Sequence, residues 1–426
     1  MCNIFKNIIP KSSFAKNVLT LITGTTISQA IPIAISPILT RIYGPEDFGV
    51  LALFVSLITI FSAVVTGRYE LAVMLPKEDK KSRSIVALCI LISLVFCTVL
   101  FIVIALFHSY FVELLEDDRI STWLYFVPLV LFLVGLFNTL NYYLSRKKEF
   151  QKVAKANVSK SVSLSVSQLL FHFVKSGAFG LVLGRIISAI VAPLFLLFNL
   201  KKSDKISFNK EKLSTVAKRY IDFPKYAMWA GLFNNLALNF NNLVIPIVYS
   251  TSILGYFALV YRVLVLPFTL VSTSVGQVFF KEVSELKNQN KNVSNVIWKV
   301  VKKMGLISVL GFGVLFFTVE YLFVFVFGEE WRIAGIYAQY LIPMFVIRFV
   351  VSPLTLIHSA FEAHKLSLLL QFLMFLLSVL SMYIAYIFKL DFEHFLMLFS
   401  SVMVMFYLLR FVVIIYIAKK PYNELN

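Results

Sequence analysis

The sequence predicts an all-α polytopic membrane protein, and three observations support that prediction. Hydrophobic residues make up 59% of the chain, the mean hydropathy is +0.85, and charged residues make up 15%, whereas an ordinary soluble domain carries about 25% charged residues. Long apolar segments recur along the chain, each able to cross about 30 Å of hydrocarbon as a helix. Short connections leave no room for a sizeable soluble domain. The runs are about twice as long as barrel strands, which favours helices.

Twelve apolar segments follow one another, at residues 17–42, 48–72, 84–111, 123–144, 153–173, 177–199, 222–248, 253–280, 300–327, 332–361, 366–388 and 393–417. The fifth segment is the least apolar, because VSKSVSLSVSQ at 158–168 alternates like a strand of a soluble protein. An open strand edge cannot satisfy its hydrogen bonds in lipid, so this segment too is predicted to be a helix, one that turns Ser159, Ser163 and Ser167 inward.

The loops between the segments alternate between rich and poor in Lys and Arg. The basic stretches are residues 6–16, 77–83, 146–155, 201–219 and 281–303. Such stretches stay on the cytoplasmic side, so both termini are predicted to be cytoplasmic. The same loops explain most of the formal net charge of +18. We therefore expect membrane lipids as partners and no nucleic acid.

An internal repeat is indicated by two stretches, YGPEDFGVLAL at 43–53 and YSTSILGYFAL at 249–259, which share Tyr, Gly and Ala-Leu at one constant offset. Six segments in each half make the repeat parallel, since both halves then enter the membrane in the same direction. The predicted organisation is an N-terminal six-helix bundle at 1–200, a cytoplasmic linker at 201–220 and a C-terminal six-helix bundle at 221–426.

Four cations lie deep within the apolar segments: Lys160, Arg185, Arg262 and Arg348. Charges at such depth are costly and are functional candidates by default. The alternative is that they pair with carboxylates or backbone carbonyls and hold helices together. A further charged set lies closer to the cytoplasmic ends, where long side chains can reach water: Arg68, Glu70, Asp222, Lys225 and Arg410.

The seventh segment carries five asparagines on one side of a helix: Asn234, Asn235, Asn239, Asn241 and Asn242. Asparagine both donates and accepts hydrogen bonds, so this face can line a polar cavity. Interhelical hydrogen bonding is the competing interpretation.

Three stretches resemble the signature regions of bacterial Wzx-type oligosaccharide flippases: RIYGPEDFGVLALF at 41–54, GRYELAVMLP at 67–76, and GYFALVYRVLVLPFTLVSTSVGQVFFKEVSEL at 255–286. This family is the polysaccharide-transporter branch of the multidrug/oligosaccharidyl-lipid/polysaccharide exporter superfamily. The resemblance implies two six-helix bundles around a central cavity, with alternating access between the two faces of the bacterial inner membrane.

The resemblance also implies the cargo, an undecaprenyl-pyrophosphate-linked oligosaccharide unit that is turned to the periplasmic leaflet for O-antigen, capsule or exopolysaccharide assembly. Polymerase and chain-length proteins of the same pathway are the implied partners. The four deep cations then suit the two phosphates, and the asparagine face suits sugar hydroxyls.

Enzyme signals are absent from the sequence. The histidines are scattered without metal-ligand spacing and no phosphate-binding glycine-rich loop occurs, so we expect no cofactor, no metal and no ATP hydrolysis. Two alternatives remain open. A cation-coupled drug or metabolite antiporter of the same superfamily should place carboxylates in its cavity. A membrane sugar polymerase should need a large outer loop.

Overall fold

The structure, a computed structural model, describes residues 13–201, 210–289, 291–361 and 363–419, and every regular element in those ranges is a helix. The helices are α1 Ser13–Ile42, α2 Pro45–Phe61, α3 Tyr69–Ala72, α4 Asp79–Leu106, α5 His108–Leu115, α6 Ser121–Leu124, α7 Val127–Arg146, α8 Phe150–His172, α9 Phe179–Phe198, α10 Lys210–Arg219, α11 Met228–Val248, α12 Thr251–Asn288, α13 Ser294–Phe327, α14 Arg332–Leu354, α15 Ile357–Ala360, α16 His364–Ile387 and α17 Phe392–Lys419. The predicted all-α fold class is confirmed.

Seven stretches within the described residues are long and apolar enough to cross a membrane, and they comprise α4, α7, α9, α13, α14 with its flanking turns, α16 and α17. The other predicted spans correspond to α1, α2, α8, α11 and α12. These are helices as well, but α2 has only 17 residues and α8 is rich in serine. The chain is a multi-pass membrane protein, and the count of twelve spans stays a prediction. The strand-like fifth segment is helical as predicted, because a helix satisfies its own backbone.

The chain forms two compact units, Met1–Asn235 and Leu236–Asn426. In the N-terminal unit, α8 packs along both α9 and α1, while α7 packs against α4 and α9. Glycines allow these approaches: a Cβ on Gly24 of α1 would lie 2.5 Å from Cβ of Ala154 on α8. Likewise, a Cβ on Gly184 of α9 would lie 2.6 Å from Cγ of Gln168 on α8. Small residues of this kind let membrane helices pack closely.

The C-terminal unit is organised around α14, which packs against α12, α13 and α17. A buried apolar cluster at one end of these helices includes Phe279, Leu354, Ile357 and Ile414. Gly335 brings α14 close to α13, since a Cβ there would lie 2.6 Å from Cα of Glu320. The boundary between the two units falls inside α11, and α10, within the predicted linker, packs against α4. The domain limits given above remain a prediction.

Candidate functional site

Lys160 on α8 and Arg185 on α9 belong to two helices of the N-terminal unit that pack against each other, and both side chains are half-buried. The Lys160 ammonium lies 5.0 Å from the centre of the Phe137 ring, a cation–π distance. The positive charges of Lys160 and Arg185 are close enough to interact. The Nε of Arg185 is enclosed without a hydrogen-bond partner. Neither residue forms an ion pair with any part of the chain that the structure describes.

Helix α8 carries several serine side chains close in sequence to Lys160. Ser161, Ser165 and Ser167 are buried, whereas Ser159 and Ser163 are half-buried. The hydroxyl of Ser165 has no hydrogen-bond partner among the described residues. Ser161 and Ser165, at helical spacing, share the most buried side of α8, and the inward face at 159, 163 and 167 stays a prediction.

The five asparagines of α11 differ in burial and in their contacts. Asn235 donates from Nδ2 to the carbonyl of Thr59 on α2, 2.6 Å away, so it ties the first part of α11 to α2 within the N-terminal unit. Asn241 is buried, with its Oδ1 enclosed and lacking a donor among the described residues. Asn234, Asn239 and Asn242 are half-buried. Asn235 therefore fits the interhelical interpretation, and Asn241 keeps a polar atom that a ligand hydroxyl could satisfy.

Glu70 departs from the expectation that it reaches water, whereas Arg68 stays partly exposed. The second span breaks after α2, and Gly67 and Arg68 both take left-handed conformations, with φ of +60° and +61°. The Glu70 carboxylate is then buried, at 3% exposure, where it accepts from the hydroxyl of Thr66 and lies 3.7 Å from Nη1 of Arg68. Gly231 leaves the space for this guanidinium, since a Cβ there would lie 2.8 Å from Nε of Arg68.

The C-terminal unit holds the other deep cations. Arg348 donates from Nη1 to the hydroxyl of Tyr261, 3.1 Å away, and its guanidinium lies 5.4 Å from the centre of the Phe345 ring. Arg262 is half-buried on α12. Arg410 was expected near water, but its Nε is enclosed without a hydrogen-bond partner and its charge interacts with that of Arg348. Distance along a span could not reveal this, because it does not tell which way a side chain faces.

Several Lys and Arg side chains at the helix ends predicted to face the cytoplasm form ion pairs with nearby carboxylates. Glu149 pairs with Lys201 at 3.0 Å and with Lys152 at 3.6 Å. The hydrogen bond from Lys201, with the charge of Lys152, holds the pKa of Glu149 below its ordinary value. Asp79 likewise accepts from Lys147 at 2.6 Å and from Arg146 at 3.0 Å. These four loop cations are thus paired, in contrast to Lys160 and Arg185.

Comparison with known proteins gives one family and one type of fold. A family model described as "Polysaccharide biosynthesis protein" matches residues 38–334. No curated protein matches the chain in sequence.

Among solved structures, the lipid II flippase MurJ in an inward closed conformation is 14% identical, with a TM-score of 0.75 over 93% of this chain and 87% of that chain. An inward-facing multidrug resistance MATE family transporter of the MOP superfamily is 14% identical, with a TM-score of 0.63 over 93% of this chain and 96% of that one. A MOP superfamily transporter from Pyrococcus furiosus is 15% identical, with a TM-score of 0.56 over 95% and 97%. At such low sequence identities, the structural similarity establishes the fold alone.

Proposed function

Because the chain belongs to the polysaccharide biosynthesis protein family, we propose that it is a flippase for undecaprenyl-pyrophosphate-linked oligosaccharide units. It moves each unit from the cytoplasmic to the periplasmic leaflet of the bacterial inner membrane by alternating access. Polymerase and chain-length proteins of the same pathway then receive the unit for O-antigen, capsule or exopolysaccharide assembly. The fold shared with the lipid II flippase MurJ supports this assignment.

The observation that carries the proposal is the Lys160 and Arg185 pair. Two cations half-buried in one helical unit repel each other, and no carboxylate in the described residues neutralises them. Unpaired charge inside a membrane protein is expensive. A pyrophosphate group carries several negative charges, so its binding neutralises both cations and removes the free-energy cost of leaving them unpaired.

Lys160 and Arg185 would contribute different interactions to the binding of a pyrophosphate group. The planar guanidinium of Arg185 can form two parallel hydrogen bonds to one phosphate, while the ammonium of Lys160 acts as a compact point charge. Hydrogen bonds to charged groups contribute about 1.5–3 kcal/mol each. The hydroxyl of Ser165, in the same unit, is an enclosed polar atom without a partner in the described residues. It is the group that we assign to a sugar hydroxyl.

A cation-coupled antiporter of the same superfamily is the second candidate, and buried Glu70 is the observation that favours it. A deep carboxylate can bind a cationic substrate or a proton. Glu70, however, already interacts with Thr66 and with Arg68. A cationic drug would have to compete with that guanidinium, so the anionic cargo is favoured. Uptake of a cationic dye by vesicles that contain the protein distinguishes the two candidates, since a flippase leaves the dye outside.

The proposal is tested in a bacterial strain that lacks this protein. Wild-type protein should restore surface polysaccharide, and without it lipid-linked repeat units should accumulate on the cytoplasmic side. The double variant Arg262→Ala/Arg348→Ala should block surface polysaccharide at normal protein levels, while Lys365→Ala, on the exposed start of α16, should not. Normal polysaccharide in the double variant contradicts the role of those two arginines. Single repeat units that reach the surface without the protein contradict the flippase itself and point to a polymerase.

A further inference from the structure

A cavity of about 380 Å³ lies between the first turn of α4 and helix α10, and it is referred to below as the linker cavity. Its lining includes Lys80 and Lys81 from α4 and Val216 and Arg219 from α10. The volume falls within the range of about 300–1,000 Å³ that small-molecule sites occupy. Both helices belong to the N-terminal unit, so the linker cavity lies within one compact part of the chain.

The linker cavity carries an excess of positive charge. Three cations, Lys80, Lys81 and Arg219, and one carboxylate, Glu78, line it, which leaves two positive charges in excess. Lys81 pairs with Glu78, with Nζ and Oε1 2.7 Å apart. Lys80 and Arg219 are exposed and form no ion pair with the residues that the structure describes. These two cations are therefore available to an anionic ligand.

Helix α10 is held against its neighbours, so the linker cavity has a firm wall. Val216 is 5% exposed and lies in an apolar cluster with Ile85 of α4. The hydroxyl of Tyr69 on α3 donates to the carbonyl of Ala217, 3.0 Å away. A wall that is already in place lowers the cost of ordering a site when a ligand binds.

The α10 side of the linker cavity offers apolar surface next to the charges. Val216 lines the cavity, and so does Tyr220, whose ring centre lies 5.7 Å from the guanidinium of Arg219. A free phosphate ion would use only the cations. A ligand with a phosphate joined to a glycerol and acyl chains can use the cations and the apolar surface together.

The chain that follows α10 has the composition of a membrane interface. Ile221, Tyr226 and Trp229 are 40%, 70% and 51% exposed. Tyrosine and tryptophan are enriched at the depth of the lipid headgroups, because their rings are amphipathic. The linker cavity is thus next in sequence to a segment suited to the headgroup region, at the side predicted to be cytoplasmic.

From this arrangement we infer that the linker cavity binds the headgroup of an anionic inner-leaflet phospholipid of the phosphatidylglycerol class. Lys80 and Arg219 donate to the phosphate oxygens, while Val216 and Tyr220 contact the glycerol and the first acyl carbons. Because α4 and α10 form the cavity together, the bound lipid holds α10 against α4. This lipid is a resident ligand and not the transported unit. General attraction of basic loops to anionic lipids needs no cavity and gives no defined stoichiometry.

The experiment counts bound lipid by native mass spectrometry of the purified full chain, which is delipidated in a neutral detergent and titrated with phosphatidylglycerol. Wild-type protein should show saturable binding at one site and a matching rise in Tm, because the ligand stabilises the folded state. Lys80→Gln/Arg219→Gln should weaken this binding by about tenfold or more. Thr215→Trp keeps every charge but fills the cavity that Thr215 lines, so it should weaken the binding as well.

Lys302→Gln/Lys303→Gln is the matched control, because it removes two exposed cations from the end of α13 that is predicted to be cytoplasmic. It should bind phosphatidylglycerol like the wild type. Equal weakening in the two double variants would mean diffuse attraction to basic loops and would overturn the proposal. Lys80→Arg/Arg219→Lys exchanges the two kinds of cation and should keep most of the binding, which guards against a variant that merely misfolds.

Two further titrations identify the ligand. Phosphatidylethanolamine would bring its ammonium group close to Lys80 and Arg219, so it should bind more weakly than phosphatidylglycerol. Glycerol 3-phosphate carries the phosphate without acyl chains. If it binds as tightly as phosphatidylglycerol, the site takes a soluble anion and the assignment to a phospholipid is overturned.

The linker cavity and the proposed function can fail separately. Lys160→Gln/Arg185→Gln alters α8 and α9, which do not line the linker cavity among the described residues. This variant should bind phosphatidylglycerol like the wild type even where it no longer supports surface polysaccharide. Loss of phosphatidylglycerol binding in it would contradict the placement of the lipid between α4 and α10.

Discussion

The guanidinium of Arg348 donates a hydrogen bond to the hydroxyl of Tyr261, 3.1 Å away, and lies over the same ring at 5.8 Å from its centre. One tyrosine therefore orients the cation of α14 through two different interactions. An arginine held in this way keeps its remaining N–H groups in fixed directions, as recognition of an oxyanion requires.

Tyr261→Phe should destabilise the protein, because it removes the hydroxyl but keeps the ring. Loss of a hydrogen bond to a charged group costs about 1.5–3 kcal/mol, which should appear as a lower Tm in detergent. Tyr383→Phe is the matched control, since Tyr383 on α16 is 59% exposed. Equal Tm values for the two variants would show that the hydroxyl of Tyr261 contributes nothing.

Arg68 and Glu70 should show strong coupling in a double-mutant cycle. Arg68→Ala leaves the buried Glu70 carboxylate without its cation, and breaking a buried pair in this way costs about 3 kcal/mol or more. Glu70→Gln in the same background removes the stranded charge, so the double variant should be more stable than Arg68→Ala alone. Free energies of unfolding for the four proteins give the coupling. Additive effects would mean that the two groups do not interact.

Gly184→Ala should push α8 and α9 apart, and with them Lys160 and Arg185. The added Cβ would lie 3.1 Å from the backbone nitrogen of Gln168, which cannot move aside alone. Overpacking of this kind costs about 1–3 kcal/mol. Gly313→Ala in α13 is the control, because its Cβ meets no atom within 4 Å and alanine favours a helix. A Gly184→Ala protein as stable as Gly313→Ala would contradict the tight α8–α9 contact.

Glu149 should contribute a pH-dependent part of the stability. Its pKa is lowered in the folded protein by Lys201 and Lys152, so its contribution is present above the unfolded pKa of about 4.3. That contribution is lost as the pH falls through the lower folded pKa. Glu149→Gln should therefore lower Tm at pH 7, and the difference from wild type should vanish in acid and shrink in high salt. Glu113→Gln, on the exposed face of α5, is the matched control and should leave Tm at pH 7 close to that of the wild type. A difference in Tm between Glu149→Gln and the wild type that grows as the pH falls would contradict this prediction.

Hydropathy was enough to predict the helices, because lipid forces every backbone group to be satisfied within its own segment. That constraint made α8 a helix although residues 158–168 alternate like a strand. Depth along a span likewise identified Lys160 and Arg185 as unusual. The direction of a side chain could not be derived in the same way. Glu70 is buried just after the break at Gly67, and its partner Arg68 occupies space left by Gly231, far along the chain.

Asn235 illustrates the same limit on a smaller scale. Its helical spacing places it with four other asparagines, and the spacing does not reveal that its side chain donates to the carbonyl of Thr59 on another helix. Arg410 lies nearer a predicted span end than Arg348, and α14 nevertheless packs against α17, so that the two charges interact. Such contacts join residues distant in sequence, so a pattern within one segment cannot contain them.

The most direct measurement is transfer of a fluorescent undecaprenyl-pyrophosphate-linked oligosaccharide across liposomes that contain the purified protein. A membrane-impermeant reductant bleaches only the label on the outer leaflet, so the inner pool fades at the rate of transfer. Wild-type protein and Lys175→Gln, an exposed control, should transfer the substrate rapidly. Lys160→Gln/Arg185→Gln should be slower by about a hundredfold, as expected for two lost charge-assisted bonds. A double variant as fast as the wild type, or wild-type liposomes no faster than empty ones, would contradict the account.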